Sequence, residues 1–331
     1  MKKRGSHVFL TAILTVFCFA LPGAATAQAM STPTVSEFLN AANAVYLINA
    51  TPAGMTRFTY NGQAAYMVDP VNGAVSYVYI TAENQIIIAY QGTTGGLNMF
   101  WDPIGAMSQV LTDVEIVFSD DLSGTNPPAF GTALNFAKWV IAAANAKGYS
   151  TSDIFVTGHS LGGIEAEYVA SQTGLAGIGF ESTGIAAKPA AGAGGTNFVN
   201  TVVYGDPVAN FASDVYAEQP CAPPYVAGGG RAPHYGYIAY IGSQSDEKSL
   251  QNYALGLTWL ELGLDPWPFV ELMAEFHLPG VQAHDLNVTL NPNNVLVDGV
   301  GNMSGEVVSV GDLQIPAFIS EMSGAGRLTK G

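Results

Sequence analysis

Ile154-Phe155-Val156-Thr157-Gly158-His159-Ser160-Leu161-Gly162-Gly163-Ile164 is the stretch whose reading decides the fold. Ile154 to Val156 is a short apolar strand, and Ile164 to Ala170 is compatible with a helix. Between them sits a serine on a sharp strand-to-helix turn, which pushes the side chain out of the backbone and exposes its hydroxyl above the sheet edge. Glycines two residues to either side are required, because a Cβ there would collide with the neighbouring strand or helix. The N–H groups that open the following helix favour negative charge as it develops beside the serine. With 38 glycines in 331 residues, a G-x-S-x-G match alone is only suggestive, and the bland alternative is a Gly-rich turn. The preceding strand, the following helix and the extra glycine make Ser160 an expected nucleophile.

Outward from this turn, strands alternate with helices. Ser36 to Ile48 has helical spacing with an acidic first turn, and Thr34 or Ser36 could cap it. Ala74 to Thr81 and Gln85 to Gln91 are β-branched and aromatic runs separated by Ala82-Glu83-Asn84, a hairpin signal. Pro127-Pro128 precede a helix from Ala129 to Lys147 that stops at Gly148. Strands follow at Gly177 to Phe180 and Thr201 to Tyr204. This order predicts an α/β fold with a mostly parallel central sheet, helices on both faces and an N-terminal antiparallel hairpin.

A serine hydroxyl is a weak nucleophile at neutral pH, so a base must take its proton and a third group must orient that base. On folds with this turn the chain order is serine, acid, histidine. Only His234, His277 and His284 follow Ser160. His284, in the polar patch Gln282-Ala283-His284-Asp285-Leu286 behind Pro279-Gly280, is the expected base because bases sit on loops. His277, in Ala274-Glu275-Phe276-His277-Leu278, reads instead as one face of an amphipathic helix. The expected acid is Asp206, which ends the strand Thr201 to Tyr204, where carboxylates point into the ligand crevice. Glu181, one strand earlier, is its nearest competitor, and Asp206 could also be a plain turn former before Pro207. The oxyanion donors are expected to be the backbone N–H of Leu161 and, from the turn after Gln91, the N–H and hydroxyl of Thr93.

Ile86-Ile87-Ile88-Ala89-Tyr90-Gln91-Gly92-Thr93, an aromatic-rich loop, a long helix and Gly158-His159-Ser160-Leu161-Gly162-Gly163 together resemble the class 3, or fungal-type, lipases of the α/β-hydrolase superfamily. The resemblance spans residues 35 to 290 and is strongest from 75 to 210. In that family the strand ends in Phe-Arg-Gly-Thr/Ser, which implies an oxyanion role for Thr93; Gln91 stands where arginine is usual. The family's Asp-x-Val-Pro motif is similar to Asp206-Pro207-Val208-Ala209, and its histidine near the domain end matches His284. The family also implies a mobile lid after the oxyanion turn. Here that segment holds Leu97, Met99, Phe100, Trp101 and Met107, with Gly95-Gly96 and Gly105 as hinge-like glycines, although such residues could equally be core. A second apolar stretch, Leu255 to Phe276, could wall an acyl channel, form an interfacial surface, or be an ordinary buried helix pair.

Composition bounds the rest. Met1-Lys2-Lys3-Arg4, the apolar run Val8 to Leu21 and Ala25-Thr26-Ala27 form a secretory leader over residues 1–27. The expected division is then a hydrolase domain at 28–290 and a C-terminal extension at 291–331, strand-rich or partly disordered. Loss of Lys2, Lys3 and Arg4 with the leader leaves 8 basic against 26 acidic residues, a balance that repels nucleic acid and anionic membranes. No 18-residue apolar span follows the leader, so no integral membrane segment is expected. Outside the leader Cys221 is the single cysteine, and no Cys/His cluster has zinc spacing. The expectation is a secreted serine esterase, extracellular or periplasmic, that needs no metal and no organic cofactor. Its partner would be a lipid or other ester at an oil–water interface, and no stretch specifies an oligomeric state.

Overall fold

Ile86–Tyr90 and Ile154–His159 are buried at every position, the pattern of strands covered on both faces. The computed structural model describes residues 31–93, 126–195, 197–212, 226–227, 232–253, 257–258, 267–291, 303 and 305–331. In chain order the strands are β1 (Thr56–Arg57), β2 (Thr59–Tyr60), β3 (Gln63–Ala64), β4 (Tyr66–Val68), β5 (Val75–Ile80), β6 (Ile86–Tyr90), β7 (Ile154–His159), β8 (Ala176–Phe180), β9 (Phe198–Val203), β10 (Val226–Ala227), β11 (Tyr237–Ile241), β12 (Leu257–Thr258) and β13 (Leu328–Lys330). Nine of them form one sheet in the order β1-β5-β6-β7-β8-β9-β11-β13, with β4 also paired to β5. From β6 through β11 neighbouring strands are parallel. β1, β4 and β5 extend the sheet antiparallel at one edge, and β13 does so at the other. β2–β3 and β10–β12 form two small separate pairs.

The helices are α1 (Val35–Ala44), α2 (Pro128–Ala146), α3 (Leu161–Thr173), α4 (Glu247–Tyr253), α5 (Trp267–Leu272), α6 (Pro279–Asp285) and α7 (Ile315–Gly324). Alternation along each strand sends side chains to two cores. Ile87, Ala89 and Phe155 join Phe38 and Leu39 of α1, Phe269 of α5 and Phe318 of α7 on one face. Ile86, Ile88, Ile154 and Val156 join Ala137 and Val140 of α2 and Val169 of α3 on the other. The sheet is therefore covered on both sides, as an α/β-hydrolase requires.

Local signals set the element ends. Thr34 caps α1 in a capping box with Glu37, an arrangement worth about 1 kcal/mol. Asn84, at φ 62°, turns the β5–β6 hairpin, and asparagine tolerates that left-handed conformation. Pro128 opens α2, where its missing N–H costs nothing. Residues 305–331 contribute α7 and β13. Ile315 and Phe318 of α7 are buried in the first core, and β13 pairs with β11 in the main sheet.

Register then brings the site together. Tyr90 stands opposite Gly158, His159 opposite Phe180, and Phe180 opposite Thr201. The carboxyl ends of β6, β7, β8 and β9 thus lie along one sheet edge, and the residues just past them are Gly92, Ser160, Glu181 and Asp206.

Candidate active site

Ser160 occupies the turn between β7 and α3 with φ 59° and ψ −129°. A non-glycine residue in this region carries about 1–3 kcal/mol of strain, which the surrounding packing must hold. That packing is tight. A Cβ at Gly158 would lie 2.0 Å from the Gly162 carbonyl oxygen, and one at Gly162 would lie 2.2 Å from that of Tyr90. The Ser160 N–H is anchored to the Phe180 carbonyl of β8 at 2.8 Å.

The imidazole on Ser160 belongs to His277. Its Nε2 lies 2.8 Å from Ser160 Oγ, and its Nδ1 lies 2.6 Å from Asp206 Oδ2. Since a carboxylate only accepts, Nδ1 carries the proton and Nε2 faces the serine hydroxyl as acceptor. All three side chains are buried. His284, the residue expected from the sequence as base, is instead in the last turn of α6, partly exposed, with Nδ1 bonded to its neighbour Asp285 at 2.9 Å. His234 Nε2 bonds the Ser182 carbonyl at 2.8 Å. That His277 rather than His284 lies against Ser160 has a backbone cause. A π-helical turn, Met273–His277, follows α5, and Leu278-Pro279 stops it, so His277 sits at a helix end rather than on a helix face. Pro279, two residues on, was the sequence signal for that end.

Asp206 follows β9, and its other oxygen, Oδ1, accepts the N–H groups of Val208 at 2.5 Å and Ala209 at 3.0 Å. Burial pushes this carboxyl up, but His277, Glu181 and the Ala209 N–H outweigh it and hold the group below its usual range. Glu181 lies directly beside this pair. Ligand atoms of Glu181, Asp206 and His277 fall within 4.8 Å of one another, the one such grouping among the described residues. His277 Nδ1 and Asp206 Oδ2 are already spent on each other there.

A second histidine supports the first. His159 Nε2 lies 2.6 Å from the main-chain carbonyl of His277, so it must donate, and Gln282 Nε2 bonds the same oxygen at 3.1 Å. His159 Nδ1 must then accept, and it takes the Tyr46 hydroxyl proton at 2.9 Å. The Tyr46 oxygen in turn accepts the Gly92 N–H. Burial first, and the neighbouring His277 ring second, push His159 down to about 3, so it stays neutral near pH 7. This chain ties the turn after β6 to the nucleophile turn and to the backbone of His277. The sequence reading missed both Tyr46 and His159, which lie 113 residues apart.

On the oxyanion side, Leu161 opens α3, so its N–H has no acceptor within the helix. The turn after β6 runs beside the nucleophile: a Cβ at Gly92 would come within 3.1 Å of Ser160 Cβ. The Thr93 hydroxyl there is buried, with no hydrogen-bond partner among the described residues. Gln91 bonds the Val45 carbonyl at 2.9 Å, tying the same turn to the end of α1. Leu97, Met99, Phe100, Trp101 and Met107 lie outside the described residues, as do residues 259–266 of the second apolar stretch. Phe269, Leu272 and Phe276 from that stretch are core.

No family of known proteins and no curated protein matches this chain. Among solved structures it is similar to the extracellular lipase LipA from Serratia marcescens, at 22% identity over 48% of this chain and 29% of that one, with a TM-score of 0.33. The chain therefore spans less than a third of that lipase. It is also similar to a triacylglycerol lipase from Penicillium expansum, at 18% identity over 63% of this chain and 81% of that one, with a TM-score of 0.37.

Proposed function

We propose that this chain is a serine hydrolase that cleaves carboxylic esters of lipids, exported behind the leader at residues 1–27. The observation that carries this reading is one buried imidazole, His277, held between Ser160 Oγ at 2.8 Å and Asp206 Oδ2 at 2.6 Å. Ser160 Oγ attacks the ester carbonyl as its proton passes to His277 Nε2. Asp206 holds Nδ1–H and stabilises the imidazolium that forms. The tetrahedral oxyanion is met by the Leu161 N–H and by Thr93, each donor worth about 10²–10³ in rate. His277 then gives its proton to the leaving alcohol, and in the second half it activates the water that frees the acyl group.

Support for a lipid substrate comes from the sequence: the apolar residues Leu97, Met99, Phe100, Trp101 and Met107 follow the oxyanion turn, where a lid would cover the site in water. Hydrolysis of p-nitrophenyl esters of short and long acyl chains tests the reading. Ser160→Ala is expected to lower kcat by at least ~10³. Fatty-acid release from triolein, against phosphatidylcholine and polyhydroxyalkanoate, then separates a lipase from a phospholipase or a polyester depolymerase. Absence of turnover on every ester would leave a catalytically silent lipid-binding protein.

A further inference from the structure

Glu181 stands where the chemistry of the triad does not require it. It follows β8 as Asp206 follows β9, and these strands are hydrogen-bonded neighbours. It is fully buried, and it holds φ 52°, a left-handed conformation rare for a residue with a side chain. Its own N–H bonds the Thr201 carbonyl at 3.1 Å. Its carboxyl straddles the Val203 N–H at 3.1 and 3.3 Å, and a Glu181 oxygen lies within 4.8 Å of both an Asp206 oxygen and a His277 ring nitrogen. Strain of this kind persists only where the surroundings over-determine it.

Two carboxyls in one dry site cannot both be ionised. Among the described residues no lysine or arginine pairs with either. The competition for the charge is unequal. Asp206 receives the Val208 and Ala209 N–H groups and His277 Nδ1–H, whereas among the described residues Glu181 receives the Val203 N–H alone. The charge therefore stays on Asp206 and the proton on Glu181. Resting on the serine-hydrolase reading above, we propose that Glu181 is a positioning residue whose neutral carboxyl donates an O–H hydrogen bond to Asp206, fixing that carboxylate against His277 and drawing off part of its charge. Burial first, then the Asp206 charge, push Glu181 well above the usual carboxylate range, in keeping with this assignment.

The consequence is readable in the pH profile. Charged or titratable groups around Glu181 are Asp206, His277, His159 against the His277 ring, and the more distant Asp285. Glu181→Gln keeps a neutral donor toward Asp206 and should hold kcat/KM within about threefold, with its acid limb unmoved. Glu181→Ala removes the donor, concentrates charge on Asp206 and favours the imidazolium. Its acid limb should move to higher pH by about half a unit or more, with kcat/KM down about tenfold. A purely structural Glu181 would lower Tm without moving the limb.

The direct readout is infrared difference spectroscopy at pH 8, which needs no turnover and so separates failure of this inference from failure of the esterase reading. The wild type should show protonated-carboxyl absorption, with Glu165 contributing one component, and Glu181→Gln should remove a second, separate component. If Glu181→Gln does not fold, Glu165→Gln replaces it: Glu165 is another fully buried carboxyl raised by burial, and a component of the band must survive its removal. Loss of the whole band with Glu165→Gln, a band unchanged in Glu181→Gln, or an acid limb driven to lower pH by Glu181→Gln would each overturn the proposal.

Discussion

Two histidines seven residues apart, His277 and His284, each hold an aspartate through Nδ1, at 2.6 and 2.9 Å. Pairwise they look alike, yet their settings are opposite. His277 is buried and its aspartate comes from another strand end, 71 residues earlier in the chain. His284 is partly exposed and its aspartate is its own neighbour. The two carboxyls respond in opposite directions: Asp206 is held below its usual range by His277, while burial pushes Asp285 up to about 6 despite its bond to His284. A His–Asp pair is thus not a site by itself. What makes one is the third partner: Ser160 lies against His277, whereas α6 positions His284 for a local contact.

The sharpest way to break this comparison is to truncate both rings. His277→Ala should lower kcat/KM for a p-nitrophenyl ester by about 10⁴ or more, as loss of a triad base does elsewhere. His284→Ala should stay within about twofold of wild type. Equal losses would erase the distinction. Next in size is Tyr46→Phe, which leaves His159 Nδ1 without its donor and loosens the carbonyl clamp on His277. About tenfold lower kcat is expected with KM little changed, the cost of one buried unsatisfied group; a rise in KM alone would place Tyr46 in substrate binding instead.

How much of this was legible follows from where each signal lives. Ser160, Asp206 and Glu181 all sit just past strand ends, and strand periodicity with the glycine spacing reveals such positions within a few residues of sequence. The hairpin, α1 with its Thr34 cap, and α2 after Pro128 are local for the same reason. His277 was not legible by these rules. Its neighbours Phe276 and Met273 are core residues, so it carries the pattern of a buried helix face, and only the π turn and Pro279 make it an end. Tyr46 and His159 are linked across 113 residues by one hydrogen bond, a contact that no local pattern encodes.

The smallest expected effect sharpens the His284 side. For Asp285 the folded-state value is raised from 3.8 to about 6, so its ionised form is disfavoured in the fold. The sign follows by linkage: its contribution is fully present below pH 3.8 and lost as pH rises through about 6. Asp285→Asn cannot ionise, and its Tm relative to wild type should rise by about 2 °C between pH 4 and pH 7 in paired thermal melts. A gap independent of pH would show that burial does not disfavour this charge.

The claim beneath all of these is that His277, reaching Ser160 from a helix end, makes the serine a nucleophile. Fluorophosphonate labelling reads that directly, by mass spectrometry of the peptide containing Ser160 in wild type, His277→Ala and His284→Ala. Rapid labelling of Ser160 in the wild type and in His284→Ala, with His277→Ala slower by about 10² or more, is expected. Labelling of His277→Ala at the wild-type rate, or its loss in His284→Ala, would contradict the assignment.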